Sequence, residues 1–389
     1  MLLVRPVARS NWLRIYYSCA AQRRQASGSL SKWLLYAPTP QAMVTVPDSR
    51  LDALAKVEPS AKTLYSQIKL VDIAGLVKGA SKGAGLGNQF LSNIRDVSVV
   101  LHAVRCFQDE DIIHVDGSVD PIRDLDTMNT ELVLSDLEVA ERRLDSSRRK
   151  AKKTQDAAGK DAAALVELLK GTVIPCLEEG MPASSLVAGL SEEELVLFET
   201  LGLITAKPTL YVAHVDEEDV AEGGNAHSER LRAHVEEELG GGSVLILSPK
   251  LEFSAASYAL EAATAATEST ASQEDENQLE YLEMFGVSQT GLSSVIQELQ
   301  ELLGLTVFYT VGPMEARAWS VNRGSTAPTC AAAIHSDFEK HFIRAETVNA
   351  DAFIECGGSK EAASRGLLRS EGRAYVLQDG DVFNFLTSA

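Results

Sequence analysis

Ile68-Lys69-Leu70-Val71-Asp72-Ile73-Ala74-Gly75 is the stretch that decides the fold of this chain. Its first five residues are a mostly apolar run closed by a carboxylate, the pattern of a buried strand whose polar end meets a site. A glycine-rich segment follows at once, residues 76–88, which adds Gly79, Gly83, Gly85 and Gly87 to Gly75. Glycines at that density after a buried strand suit a backbone that orders around a ligand. A surface loop without a ligand is the other reading of the same residues. At such a strand end Asp72 is placed to hold Mg²⁺ through water, and the Gly75 N–H to sense a terminal phosphate.

Outward from this stretch, residues 97–104, 210–215 and 244–247 are further apolar runs with helix-like sequence between them. The β-α-β alternation predicts an α/β fold, a doubly wound and mostly parallel sheet with helices on both faces. Residues 129–207 interrupt it. Leu132, Leu134, Leu137, Val139, Ala140 and Leu144 recur at helical spacing, and Leu165, Val166, Leu168 and Leu169 form a second such stretch. A long antiparallel helical hairpin is expected. Toward its connection stand Arg142, Arg143, Arg148, Arg149, Lys150, Lys152 and Lys153, the densest positive cluster in the chain. They read either as a solvated helix face or as a docking patch for RNA phosphates.

Residues 262–280, rich in Ala, Ser, Thr, Glu and Gln, suggest a surface loop or weak helix. Beyond Leu305 the texture turns to short strands: residues 307–311, 317–321, 345–354 and 374–377, closed by the turn sequence Gln378-Asp379-Gly380-Asp381. A small α+β terminal domain is expected there.

The 389 residues carry 55 acidic and 36 basic side chains, a net charge of −19, which opposes uniform wrapping by nucleic acid and confines any such contact to a local patch. The first 47 residues are the exception, with Arg5, Arg9, Arg14, Arg23, Arg24 and Lys32 and no acid. That composition resembles an organellar transit peptide, or else marks a poorly ordered or wrongly joined segment. The five cysteines are widely spaced and without a CxxC, which fits neither a disulfide framework nor a zinc knuckle and points to a reducing compartment. No apolar run approaches the roughly 20 residues of a membrane span, so a soluble chain is expected.

Taken together, residues 71–90, Arg105-Cys106-Phe107 and Asp111-Ile112-Ile113-His114-Val115 closely resemble the YchF or Obg-like ATPase family of P-loop proteins. The resemblance continues through Asn129-Thr130-Glu131-Leu132 and Lys207-Pro208-Thr209-Leu210-Tyr211. It reaches Glu315-Ala316-Arg317-Ala318-Trp319, Gly324-Ser325-Thr326-Ala327-Pro328, the run Ile334 to Lys340, and Asp379-Gly380-Asp381-Val382. It implies a P-loop-type G domain in two pieces, 46–128 and 208–303, interrupted by a helical coiled-coil insertion, 129–207. A C-terminal β-grasp (TGS) domain, 304–387, follows, and residues 1–45 form an atypical basic segment. The implied activity is ATP hydrolysis, with GTP as the alternative, in association with ribosomes and specifically the large subunit. Mg²⁺ is the implied cofactor and K⁺ a further candidate. A cytoplasmic monomer away from membranes is implied, the N-terminal composition leaving an organelle as the alternative.

The resemblance also assigns roles. Asp72 takes the Mg²⁺ position and Gly75 the γ-phosphate position. Leu76 falls where many related GTPases carry a water-positioning Gln, and a leucine cannot orient water by hydrogen bonding. The family's substitute points to His114, whose bland reading is a histidine satisfied by the backbone at a strand edge. For the base, His214-Val215-Asp216-Glu217 matches the family's Asn-x-x-Glu, with Glu217 retained and His214 replacing the Asn. Ser248-Pro249-Lys250 matches the final base loop.

One part is missing from the sequence. No Gly-x-x-x-x-Gly-Lys-Ser/Thr run occurs in the 389 residues, and with it go the backbone cradle, lysine and hydroxyl that grip a triphosphate. A targeting peptide would precede that loop rather than displace it. The first strand should be lost as well, which predicts an unpaired edge or unfilled slot in the sheet. A non-catalytic ribosome- or RNA-binding adaptor is therefore the rival reading.

Overall fold

The computed structural model describes residues 2–6, 41–72, 97–109, 117–153, 156–239, 241–265 and 271–388. Its strands are β1 (Leu2–Pro6), β2 (Gln41–Thr45), β3 (Thr63–Leu64), β4 (Gln67–Asp72), β5 (Val99–Arg105), β6 (Thr209–His214) and β7 (Val244–Leu247). They continue with β8 (Leu305–Val311), β9 (Ala316–Asn322), β10 (Phe342–Asn349), β11 (Arg369–Glu371) and β12 (Asp381–Thr387). The main helices are α1 (Ser49–Val57), α2 (Pro121–Lys153), α3 (Ala157–Leu168), α4 (Glu192–Glu199) and α5 (Ala226–Glu237). After these come α6 (Pro249–Ala265), α7 (Ala271–Glu283), α8 (Gly291–Leu302), α9 (Ala327–Ile334) and α10 (Ala350–Cys356). Packing divides the described residues into two units, the first drawn from residues 2–4 and 71–295 and the second from residues 5–6, 41–70 and 296–388.

In the first unit β5, β6 and β7 run parallel, as their apolar sequences predict. The edge expected to stand unpaired beside β5 is not: β1 lies along it, and in the opposite direction. Leu2 faces Leu101 and Val4 faces Val99, so the chain entering β1 moves toward the amino end of β5. A strand feeding a phosphate loop has to end at the carboxyl edge of a parallel sheet, where such sites form. The carboxyl end of β1 lies at the other edge.

The insertion is helical, as its periodicity predicts, but α2 begins at Pro121 and runs for 33 residues. Proline suits a first turn because its missing N–H is not needed there. Val133, Ala140 and Leu144 of α2 pack with Leu165, Val166 and Leu168 of α3 and with Phe198 of α4. Leu134, expected in that core, is 37% exposed. Buried Asp136 ties the far end of the insertion back to α2, accepting from Ile204 N (2.9 Å), Thr205 N (2.7 Å) and Thr205 Oγ1 (2.8 Å). Residues 262–280, expected as loop or weak helix, carry the end of α6 and most of α7. Leu251 and Ala255 of α6 pack against Leu282 of α7.

In the second unit the sheet order is β11-β10-β12-β8-β9-β3. The hairpin β8–β9, a helix across one face and a last strand parallel to the first make a β-grasp arrangement. Ala327, Cys330 and Ala331 of α9 cover Phe308, Phe342 and Phe383 on one face. The opposite face is covered from far away in sequence. α1 buries Leu51 and Leu54 completely against Val307, Tyr309, Ala318, Val348 and Phe353, a contribution of about 1.5–3 kcal/mol for each leucine. β3 adds a sixth strand, Thr63 opposite Ala316 and parallel to β9. Residues 49–65, read from the sequence as part of the start of the nucleotide-binding region, thus pack with the C-terminal strands.

Two expected strands differ. Residues 345–354 divide into the end of β10 and then α10, because Asn349 Oδ1 accepts from Asp351 N (2.9 Å) and caps a helix. Residues 374–377 make only an isolated bridge, Thr326 to Val376. The 378–381 turn forms as expected. Gly380 has φ 86°, and a Cβ there would stand 3.0 Å from Arg50 Nη1.

Candidate nucleotide-binding edge

The three parallel strands end level with one another. Arg105, His214 and Leu247 are register partners across β5, β6 and β7, so Cys106, Val215 and Ser248 follow side by side at the carboxyl edge. Cys106 N donates to His214 O (2.7 Å), and Val215 N donates to Leu247 O (3.1 Å). This edge is where ligands bind in open α/β sheets. The structure therefore brings together two of the segments singled out from sequence, 214–217 and 248–250.

Within this edge Val215 and Ser248 are buried and Asp216 is exposed. Ser248 receives a weak bond at Oγ from Leu251 N (3.4 Å), which starts α6. Burial lowers the His214 pKa to about 4, so the ring is neutral near pH 7. Glu217 meets a partner at once: Lys250 Nζ lies 2.6 Å from its Oε2. The hydrogen bond to Glu217 raises the Lys250 pKa, and the lysine remains a cation on an exposed side chain. A carboxylate expected to accept from a base is thus already bonded to a neighbour on the second base loop. Cys106 is not a nucleophile, since burial pushes its thiol up to about 12.

Sequence reading passed over Asn225. Its Nδ2 donates to Cys106 O (2.8 Å) and Asp219 Oδ2 (2.6 Å), while Oδ1 caps α5 by accepting from His227 N and Ser228 N (both 3.0 Å). One side chain so fixes the end of β5 and the start of α5. The signal was present as Gly-Gly-Asn before a helical stretch. Gly224 has φ 127°, and a Cβ there would fall 2.4 Å from Ser228 Oγ.

The remaining assignments fall elsewhere. Asp72 closes β4, but its side chain, Gly75 and His114 lie outside the described residues. Among the described residues no group of three or more His, Cys, Asp or Glu could hold a metal. Mg²⁺ at phosphate sites uses one or two carboxylates and substrate oxygens rather than a protein cage. By position Asp72 would supply such a carboxylate, and the sequence offers no phosphate-loop hydroxyl to share the ion with it. Arg142, Arg143, Arg148, Arg149, Lys150, Lys152 and Lys153 are all exposed on the last third of α2. No described helix is long and apolar enough to cross a membrane.

A parallel sheet with base-loop segments at its carboxyl edge, a helical insertion and a β-grasp C-terminal unit defines the class: a GTPase-type α/β protein with an appended domain. Residues 53–136 match the family model described as 50S ribosome-binding GTPase. Residues 305–388 match YchF-GTPase_C, described as a protein of unknown function (DUF933). The chain is 41% identical over 346 residues to the ribosome-binding ATPase YchF of Haemophilus influenzae, covering 88% of this chain and 87% of that protein. It is 40% identical over 344 residues to the protein of the same name from Bacillus subtilis, with the same coverage. The solved structure of the Schizosaccharomyces pombe YchF GTPase superposes with a TM-score of 0.74 at 29% identity, covering 92% of this chain and 90% of that one. The chain belongs to the YchF family. A divalent metal such as Mg²⁺ accords with that family.

Proposed function

We propose that this chain is a ribosome-associated, nucleotide-binding ATPase of YchF type. The observation that carries the reading is the level carboxyl edge of β5, β6 and β7, which sets Glu217 beside the Ser248–Lys250 loop in a chain 41% identical to a ribosome-binding ATPase. In this reading the base lies against Val215 and Asp216. Glu217 accepts from its amino or imino groups, with Lys250 donating to an adjacent acceptor and Ser248 supporting the loop. His214 takes the place of the loop-tying Asn. Asp72 would hold Mg²⁺, which would neutralise charge on the phosphate oxygens, and the Gly75 N–H would report on the γ-phosphate. His114 positions the water that attacks phosphorus in line, the bond to the β–γ bridging oxygen breaking as the new one forms. ATP is the proposed nucleotide and GTP the alternative, K⁺ a further ion, and the basic end of α2 the contact with the large ribosomal subunit. A cytoplasmic monomer is proposed, with an organelle as the alternative.

The second reading is an adaptor that keeps the docking surfaces and has lost turnover. It is favoured by β1, which pairs beside β5 in the direction that takes its end away from the site, and by the missing Gly-x-x-x-x-Gly-Lys-Ser/Thr run. Titrating fluorescent ATP and GTP with Mg²⁺ against the full chain separates the two. The ATPase reading expects saturable binding, a loss of about tenfold or more in Glu217→Ala, and turnover abolished in His114→Ala. Ribosome co-sedimentation without nucleotide binding selects the adaptor.

A further inference from the structure

The basic end of α2 is not one patch. Arg142, Ser146, Arg149 and Lys153 recur at i, i+4, i+7 and i+11, which places them on one stripe of the helix. Glu141, Asp145, Arg148 and Lys152 repeat the same spacing one residue earlier and form the next stripe. The second stripe neutralises itself: two acids are followed by two bases, and Arg148 Nη1 stands 3.7 Å from Asp145 Oδ1. The first carries no acid. Arg142 and Arg149 each donate from Nε to a carbonyl of their own helix, Glu138 O (3.1 Å) and Asp145 O (3.3 Å). Among the described residues neither Arg142 nor Arg143 has a carboxylate within ion-pair distance.

At its lower end the first stripe opens into a groove of about 370 Å³ between α2 and the turn after α4. The groove is lined by Val139, Arg142, Arg143, Ser146, Thr200 and Leu201. Two guanidiniums above an apolar floor suit phosphate oxygens, while the hydroxyls of Ser146 and Thr200 donate to Arg143 O (2.8 Å) and Leu197 O (2.6 Å). From Arg142 to Lys153 the stripe extends roughly 16 Å at the helical rise, long enough to face several successive phosphates of one strand. In a chain of net charge −19 such a surface can attract a polyanion only locally, and here its sign is undiluted.

We infer that Arg142, Arg149 and Lys153, with Arg143 at the groove end, seat the phosphate backbone of an RNA strand, while Arg148 and Lys152 stand off it. The inference rests on the ribosome-association reading and narrows it to one side of one helix.

The test titrates the full chain onto a fluorescein-labelled RNA hairpin and onto purified ribosomes over a potassium chloride series. R142A/R143A is compared with R148A/K152A, which removes the same formal charge. All four residues are exposed, and unchanged circular dichroism confirms that both variants fold. R142A/R143A is expected to weaken hairpin binding about tenfold or more and to lower the slope of log affinity against log salt by about two. R148A/K152A leaves the slope unchanged. Equal losses in both variants, no loss in R142A/R143A, or no hairpin binding by the parent chain each overturn the inference. Loss on ribosomes with hairpin binding intact also overturns it, since the occupant would then be protein. Hairpin binding that follows the expected pattern without ribosome co-sedimentation upholds the stripe and removes the ribosome reading instead.

Discussion

Arg50 Nη1 lies 2.7 Å from Asp379 Oδ2, joining α1 to the last turn of the chain across 329 positions of sequence. Both side chains are substantially exposed, so the pair contributes less than about 1 kcal/mol. Asp48 beside it does more. Its Oδ1 accepts from Arg50 N (3.0 Å) at the start of α1, and its Oδ2 accepts from Tyr309 Oη (2.6 Å). Burial holds that phenol well above its ordinary pKa. Asp48→Ala is expected to lower stability by about 2–4 kcal/mol, through a lost cap and a stranded hydroxyl. Tyr309→Phe should cost about 1 kcal/mol and Arg50→Met less. Urea unfolding of the full chain measures the ranking, and a larger loss in Arg50→Met than in Asp48→Ala would refute it.

Asp136 holds the helical insertion closed through its three bonds to residues 204 and 205. Asp136→Ala leaves the buried Ile204 N and the half-buried Thr205 N without their acceptor and should cost about 3 kcal/mol. Asp136→Asn turns an amide toward the same donors and recovers little of the loss. Thermal melts followed by far-ultraviolet circular dichroism test this, and an unchanged midpoint in either variant contradicts it.

Glu252, one turn into α6, is buried and accepts from Gly291 N (2.6 Å) at the start of α8. Burial raises its pKa, so the folded state binds that proton more tightly than the unfolded chain. Its contribution is full at acid pH and declines as pH rises through the folded value. Glu252→Gln keeps an acceptor and removes the titration. Its stability relative to the parent should therefore improve from acid to neutral pH in chemical denaturation, and a flat or falling difference would count against the assignment.

His102 and His214 act in the opposite sense. Burial lowers their pKa values to about 3 and about 4, so in the folded chain both stay neutral where the unfolded chain protonates. Their contribution is present above pH 6.5 and is lost as pH falls toward those values. His102, sealed within β5 against Tyr211, is the stronger case, on the order of 5 kcal/mol at full loss. His214 is only partly covered and contributes less. Melting curves at stepped pH should show the parent destabilised below pH 6.5 and His102→Gln less steeply so; parallel curves would refute the role of His102.

The parallel strands were legible because strands buried on both faces must be apolar throughout, and residues 210–215 and 244–247 became β6 and β7 within a residue or two. The same apolarity hid the start of α10, where one capping Asn349 outweighs the β-like residues before it. The base-loop segments could be placed by resemblance, whereas the Lys250–Glu217 contact depends on how two strand ends align and on side-chain reach. Nothing in Leu2–Pro6 specifies the direction in which it pairs, since hydrogen-bond ladders form either way. The attachment of residues 46–64 to the C-terminal sheet was invisible for a related reason: Leu51 and Leu54 announce a helix with an apolar side, not what that side covers.

That attachment has a consequence for the nascent chain. Ser60 Oγ bonds to Gly312 O across 252 positions, so at ordinary elongation rates α1 leaves the exit tunnel roughly 12–50 s before the strands it must cover. Throughout that interval Leu51 and Leu54 are uncovered by their final partners, and a polypeptide stalled before Leu305 holds them out for a chaperone to grasp.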